Sequence, residues 1–215
     1  YVERRRPFWW DRVSFVVKSS PRERLVLAYP AREELSLNGP EARRAAVRRA
    51  ERIIKDTVGL DLDRFIDELE RAADVVLSAV EQRKMADATV MTWEEITALR
   101  RAGMDVQSHS HTHRVLQTLD ARSLERELFQ SRAALEDALG ERPQAIAYPV
   151  GRPLGRAAYL RRAVTDAGYR LGFSNATGVS YFRAIDPLNV RRISLDRSIR
   201  DPFFRAMLAL PMLAY

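Results

Sequence analysis

From Thr92 onward the chain alternates helical patterns with short apolar runs, and this alternation restricts the possible fold more than any other feature. Thr92 and Glu95 have the spacing of a capping box, and Gly103 supplies the stop of that helix. Residues 104–108 read as a strand. Asp120 or Ser123 opens the next helix, whose Leu124, Leu128, Leu135 and Leu139 share one face and which Gly140 ends. Residues 145–148 read as a second strand, closed by Pro149 and Gly151, and a third helix covers about 156–167. Residues 169–173 and 190–195 read as two more strands. Such an order implies an α/β fold with a parallel sheet or barrel and right-handed crossovers. In both architectures chemistry gathers at the carboxyl ends of the strands.

The first ninety or so residues have a different texture. Pro7 opens a helix in which Trp9, Val13, Val16 and Val17 recur at helical steps. A short strand over 25–28 stops at Pro30. Asn38, Gly39 and Pro40 break the chain and introduce an Arg-rich helix running to about Asp56. Asp61 caps another helix, with Leu60 and Phe65 placed as a hydrophobic staple. Nothing in this half assembles a chemical site.

Composition narrows the function classes. With 46% hydrophobic and 30% charged residues the chain has the make-up of a folded domain. No stretch approaches the ~20 apolar residues of a membrane-spanning helix, and no signal-peptide pattern opens the sequence. The absence of cysteine excludes a disulfide scaffold, a Cys-ligated zinc site and a thiol nucleophile. The net charge of +7 is carried almost wholly by arginine. Its densest run, Arg43, Arg44, Arg48, Arg49, Arg52 and Lys55, is interspersed with Glu41, Glu51 and Asp56 and has no aromatic residue on which a base could stack. It reads as a solvated helix face, and no nucleic-acid partner is expected.

The three histidines of the chain are His109, His111 and His113, directly after the 104–108 strand. Three imidazoles clustered at a strand end point to a divalent metal. His109 and His113 are four apart, so a helical turn or tight loop puts both on one side, whereas His111 points elsewhere unless the strand continues. The His-Glu-x-x-His pattern of zincin proteases is missing. Two imidazoles suit zinc, iron, cobalt or nickel, but a hydrolytic site needs a third protein ligand and an open position. A carboxylate is the natural choice, and Asp105, Asp120, Asp186 and Asp196 are the candidates.

Ser108-His109-Ser110-His111-Thr112-His113 resembles the second motif of polysaccharide deacetylases, the NodB-homology superfamily or carbohydrate esterase family 4. In that motif, His-Ser/Thr-x-x-His, the two histidines bind the catalytic metal, and they correspond to His109 and His113. The segment from Ala145 to Gly151, with Tyr148, Pro149, Val150 and Gly151, resembles the third motif, a wall of the substrate groove. The segment 167–173 and the run from Arg192 to Leu195 match the usual later strands. The likeness is strongest from Thr92 to Leu195.

The resemblance implies an irregular (β/α) barrel that lacks its first strand or strands here, with 1–215 as one deacetylase-like domain. A helical insertion would occupy about 18–90, and the βα units with the histidine motif 91–200. It implies a hydrolase of carbon–nitrogen bonds other than peptides, removing N-acetyl groups from amino-sugar polymers with a divalent metal, Zn²⁺ foremost. The partner is then a polysaccharide, and the place a bacterial cytoplasm or cell envelope, in exopolysaccharide or cell-wall metabolism. On this reading backbone N–H groups around Tyr148 and Gly151 hold the oxyanion.

Three departures stand beside the likeness. The Asp-Asp pair of the family's first motif, which provides the general base and third ligand, has no counterpart and would lie upstream of Tyr1. Ala147 stands where many members have an arginine that orients the base. Asp196 and Arg197 stand where many keep an acidic histidine, which makes Asp196 the candidate catalytic group within the chain. The alternative is a metal- or carbohydrate-binding remnant without turnover.

Overall fold

Two self-contained clusters of apolar side chains divide the chain at Gly103, giving a first unit Tyr1–Gly103 and a second unit Met104–Tyr215. The computed structural model describes residues 1–176, 178–180, 182–193, 195 and 199–210.

In the first unit, α1 (Trp9–Ser19) buries Trp9, Val13, Val16 and Val17, the stripe expected from its spacing. β1 (Arg24–Leu27) pairs antiparallel with β2 (Glu33–Ser36), a strand not foreseen, and the pairing places Leu25 opposite Leu35. α2 (Gly39–Asp56) turns Ala46, Ala50, Ile53 and Ile54 inward. Its arginines are divided between solvent and structure. Arg48 and Arg52 are exposed, Arg49 pairs with Glu33 at 2.7 Å, and Arg43 donates to the carbonyls of Val17 (2.9 Å) and Ser20 (3.0 Å) at the end of α1. α3 (Leu62–Ala73) begins at Asp61, whose carboxylate accepts from the Arg64 N–H, and the staple residues Leu60 and Phe65 are buried. α4 (Ala79–Thr89) and α5 (Trp93–Arg101) both carry complete capping boxes, Ser78 with Glu81 and Thr92 with Glu95. Two reciprocal bonds per box satisfy N–H groups that a helix start otherwise leaves open.

The second unit is organised on a parallel sheet. α6 (Ala121–Leu139) starts at Asp120 and stops at Gly140 in the left-handed conformation, as its sequence predicts. β3 (Ala145–Ala147), α7 (Ala158–Asp166) and β4 (Leu171–Ser174) follow, and the strands pair in parallel. β5 (Val190–Arg191) joins β4 in parallel, giving the order β3-β4-β5. α8 (Asp201–Ala209) closes the described chain. Among the described residues this sheet is open and does not close into a barrel.

The 104–108 strand forms only in part. Ser108 makes a single parallel bridge to Ile146. One residue earlier the side chain of Gln107 takes the place of the backbone: its Oε1 accepts from the N–H groups of both Gln144 (3.0 Å) and Ala145 (2.9 Å). With the β3 edge met by an amide side chain, residues 104–106 have no ladder to join.

Packing over β4 explains a glycine. The Tyr148 ring crosses Gly172 and its hydroxyl donates to the Leu188 carbonyl at 2.8 Å. A Cβ on Gly172 would lie 1.9 Å from the Tyr148 oxygen and 2.9 Å from the Leu188 carbonyl oxygen. Neither the ring nor that backbone can withdraw without opening the core. Gly172→Ala should therefore destabilise the second unit by about 3 kcal/mol, the upper range for overpacking. The check is urea unfolding followed by amide resonances of that unit.

Arg161 on α7 forks onto Asp186 with contacts of 2.8 and 2.7 Å, and Asp186 also accepts from the Leu188 N–H. The guanidinium holds the Asp186 carboxyl below the usual carboxylate range. A carboxylate with a depressed folded-state pKa adds stability above its unfolded value of about 3.9 and loses it as pH falls through the folded value. Wild type should thus lose stability below about pH 4 more steeply than Asp186→Asn, as measured by thermal melts along a pH series.

Candidate metal centre

The Ser108 N–H donates to the Ala145 carbonyl (3.2 Å), and the Ser108 carbonyl accepts from the Ala147 N–H (2.9 Å). This clamp releases the histidine loop at the carboxyl end of the sheet. The ring Nδ1 of His109 lies 2.7 Å from the Ala147 carbonyl oxygen. A carbonyl only accepts, so Nδ1 carries the proton and Nε2 keeps its lone pair. Metal-binding histidines are commonly fixed by such a bond. Although His109 is exposed at the surface, partial desolvation pushes its pKa below the ordinary value; the Ala147 contact opposes this, and the nearby Arg192 charge adds to it. The net effect favours a neutral imidazole, and the Ala147 contact selects the tautomer with a free Nε2.

His113 reaches the same place through a bent loop. Ser110 and His113 adopt left-handed backbone conformations, with φ of 64° and 57°. For residues with a Cβ each such conformation costs about 1–3 kcal/mol and persists only where neighbours hold it. Here the Ser110 N–H donates to the Ser108 hydroxyl (3.3 Å) and the His113 N–H to the Ser110 hydroxyl (3.0 Å). The two imidazole rings end with centroids 4.7 Å apart at an interplanar angle of 73°. Two imidazoles on one tetrahedral metal, with metal–nitrogen bonds of about 2.0–2.1 Å, have centroids roughly 5 Å apart. The separation of the two rings is compatible with one divalent ion held by both. The His111 N–H is taken by Glu127 at 3.0 Å, so its loop position serves the turn.

No third acidic or histidine side chain joins the pair among the described residues. Three of the four aspartate candidates are engaged elsewhere: Asp105 accepts from the Gln107 amide (2.7 Å), Asp120 caps α6, and Asp186 holds Arg161. Asp196 and Arg197 lie outside the described residues.

The segment expected to wall a groove divides between core and surface. Tyr148 is 1% exposed, with burial pushing its phenol pKa up. Pro149 and Gly151 are buried as well, and Val150 is exposed, with a φ of 52°. A Cβ on Gly151 would lie 2.3 Å from the Asn175 side chain, and the Asn175 N–H donates to the Gly151 carbonyl (2.8 Å). The polar loop after β4 is thereby joined to this turn. The Tyr148 N–H already donates to Phe173 and the Gly151 N–H to Tyr148, both at 2.9 Å, so neither serves an oxyanion.

Glu127, Ser131 and Arg192 are the neighbours of this site that the sequence reading passed over. Glu127 and Ser131 sit one turn apart on α6 and are buried. The Glu127 carboxylate accepts from the N–H groups of His111 (3.0 Å) and Thr112 (2.8 Å) and from the Thr112 hydroxyl. The Ser131 hydroxyl meets that of Ser108 at 2.7 Å. One signal was present: Glu127 falls on the stripe defined by Leu124, Leu128 and Ser131, where an acid needs a partner. Arg192 follows β5, and its Nε donates to the Ser174 carbonyl at 3.3 Å.

The family model for polysaccharide deacetylase matches residues 75–172. The resemblance raised by the histidine motif therefore holds across that segment. Among solved structures, the chain is similar to Streptococcus pyogenes deacetylase PplD in complex with acetate, at 26% identity over 52% of this chain and 48% of that one, with a TM-score of 0.46. It is also similar to IcaB from Ammonifex degensii, at 18% identity over 50% of this chain and 48% of that one, with a TM-score of 0.40. For BC0361, a polysaccharide deacetylase from Bacillus cereus, the identity is 25% over 48% and 32% of the respective chains, with a TM-score of 0.41. The chain spans about half the length of the first two structures. No curated protein matches it at a significant level.

Proposed function

We propose that this chain is part of a metal-dependent polysaccharide deacetylase that hydrolyses N-acetyl groups of amino-sugar polymers, in bacterial exopolysaccharide or cell-wall metabolism. The reading includes a domain over 1–215 of the irregular (β/α) barrel type, with the helical segment of about 18–90 as an insertion. One observation carries it above the others: the Ala147 carbonyl leaves the His109 Nε2 with its lone pair, 4.7 Å in ring-centroid distance from His113.

On this reading His109 and His113 hold the ion, with Zn²⁺ the leading choice. When bound, such an ion supplies Lewis acidity toward the acetyl carbonyl and makes water more acidic. Arg192 brings positive charge beside His109 and suits the negative charge that develops on an amide oxygen during hydrolysis. Val150 presents an exposed apolar contact at the turn after β3, suited to a sugar face, while the buried Tyr148, Pro149 and Gly151 give that wall its shape. The general base and third ligand are assigned to no described residue.

A second reading, a metal- or carbohydrate-binding protein without turnover, is favoured by one specific observation. No carboxylate stands with the histidine pair among the described residues.

Calorimetric titration with Zn²⁺ separates the readings when joined to an assay of acetate release from acetylated chitooligosaccharide and poly-N-acetylglucosamine. We expect one weak Zn²⁺ site in wild type and its loss in the double variant His109→Ala/His113→Ala, with His111→Ala close to wild type. Unchanged binding in the double variant removes the site assignment. Zn²⁺-stimulated acetate release that disappears in the double variant supports the enzyme, and binding without release supports the second reading.

A further inference from the structure

We infer that Glu127 is the positioning residue of the histidine pair, acting from α6 on the backbone of the loop that carries both imidazoles. The inference rests on the metal-site reading above and deepens it. His109 is fixed by its own contact with Ala147, on the sheet. His113 follows it through Ser110, His111 and Thr112, with left-handed conformations at Ser110 and at His113 itself. A loop of this shape, built from residues with a Cβ, relaxes to ordinary backbone angles unless something holds its middle.

Glu127 holds that middle. Both of its carboxylate oxygens are used: one accepts from the N–H groups of His111 and Thr112, at 3.0 and 2.8 Å, and the other from the Thr112 hydroxyl. Adjacent N–H groups converging on one carboxylate oxygen form charge-assisted bonds, stronger than bonds between neutral groups. Glu127 is 7% exposed, so water competes little for them. One turn along α6, Ser131 secures Ser108 where the loop leaves the sheet. The helix thus grips the loop at its root and at its crest, and the distance between the imidazoles follows from both.

The chemistry asks for a carboxylate in particular. A glutamine has the same shape: with its oxygen on the two N–H groups its NH₂ would donate to the Thr112 hydroxyl, so it keeps the contacts but loses the charge that strengthens them. Glu127→Gln therefore loosens the crest without removing volume from the core.

The test titrates the 215-residue chain with Zn²⁺ against a chromophoric competitor, in wild type, Glu127→Gln, Glu127→Ala, Thr112→Val and His109→Ala. It also records the visible absorption of the Co²⁺-loaded proteins, the amide exchange of His111 and Thr112 without metal, and the metal-free melting curves. We expect Glu127→Ala to weaken Zn²⁺ binding by about 10- to 100-fold, the range for groups that orient metal ligands, and Glu127→Gln to act in the same direction less strongly. The cobalt bands should shift and the two amides exchange faster. Thr112→Val, which removes the hydroxyl contact to Glu127 and leaves the two N–H bonds, should act in the same direction and more weakly. Zn²⁺ affinity within about twofold of wild type in Glu127→Ala, with affinity lost in His109→Ala, overturns this inference alone. Affinity lost only in step with a lowered melting temperature, with an unaltered cobalt spectrum in the folded fraction, makes Glu127 a residue of the fold and overturns it too. Binding that survives in His109→Ala overturns the metal-site reading and this inference with it.

Discussion

Ser108 is hydrogen-bonded on both sides of its peptide to β3, through Ala145 and Ala147, and the position of the histidines descends from that junction. A parallel pairing sets the direction in which the chain leaves the sheet, and here it leaves at the end where α/β folds assemble chemistry. The same Ala147 that donates to Ser108 through its N–H also accepts from His109 through its carbonyl. One residue of β3 therefore fixes the strand partner, the ring orientation and the tautomer of His109. An alanine suffices for this, because the backbone supplies both groups.

α6 is the second support. Its buried side is mixed, with Leu124 and Leu128 packing into the core while Glu127 and Ser131 turn polar groups to the loop. Tyr169 completes the arrangement by donating to the Leu128 carbonyl at 3.1 Å. Polar groups enclosed in this way are costly unless each finds a partner, and a fully partnered set allows one arrangement rather than several. The loop with its two left-handed residues is the arrangement they permit.

The first unit contains no comparable grouping. Its polar side chains are spent on helix ends and on ties between elements: Arg43 at the end of α1, Arg49 on Glu33, and Arg12 on the buried Glu70 at 2.7 Å. Helix ends leave carbonyls and N–H groups without intrahelical partners, and long arginines reach several of these at once. The high arginine content of that unit thus has a local structural use alongside its solvated residues, and no helix among the described residues is long and apolar enough to cross a membrane.

The sequence by itself determined whatever depends on neighbours along the chain. The capping boxes at Ser78 and Thr92, the Asp61 and Asp120 caps and the Gly140 stop are local contests between side chain and backbone; all but the Ser78 box were read from spacing. The proximity of His109 and His113 was legible for the same reason. Only the tertiary structure decided what depends on residues far apart in the chain. Gln107 meets β3 across 37 residues and replaces a backbone strand with a side chain. Tyr148 spends its hydroxyl on Leu188 across 40 residues, and its ring is buried. Asp186 goes to Arg161 rather than to the histidines, because a fixed guanidinium holds a carboxylate through two bonds at once. A side chain's type states what it can bind, but which partner it meets is settled when the sheet and helices pack, since burial obliges every polar group to take the partner within reach.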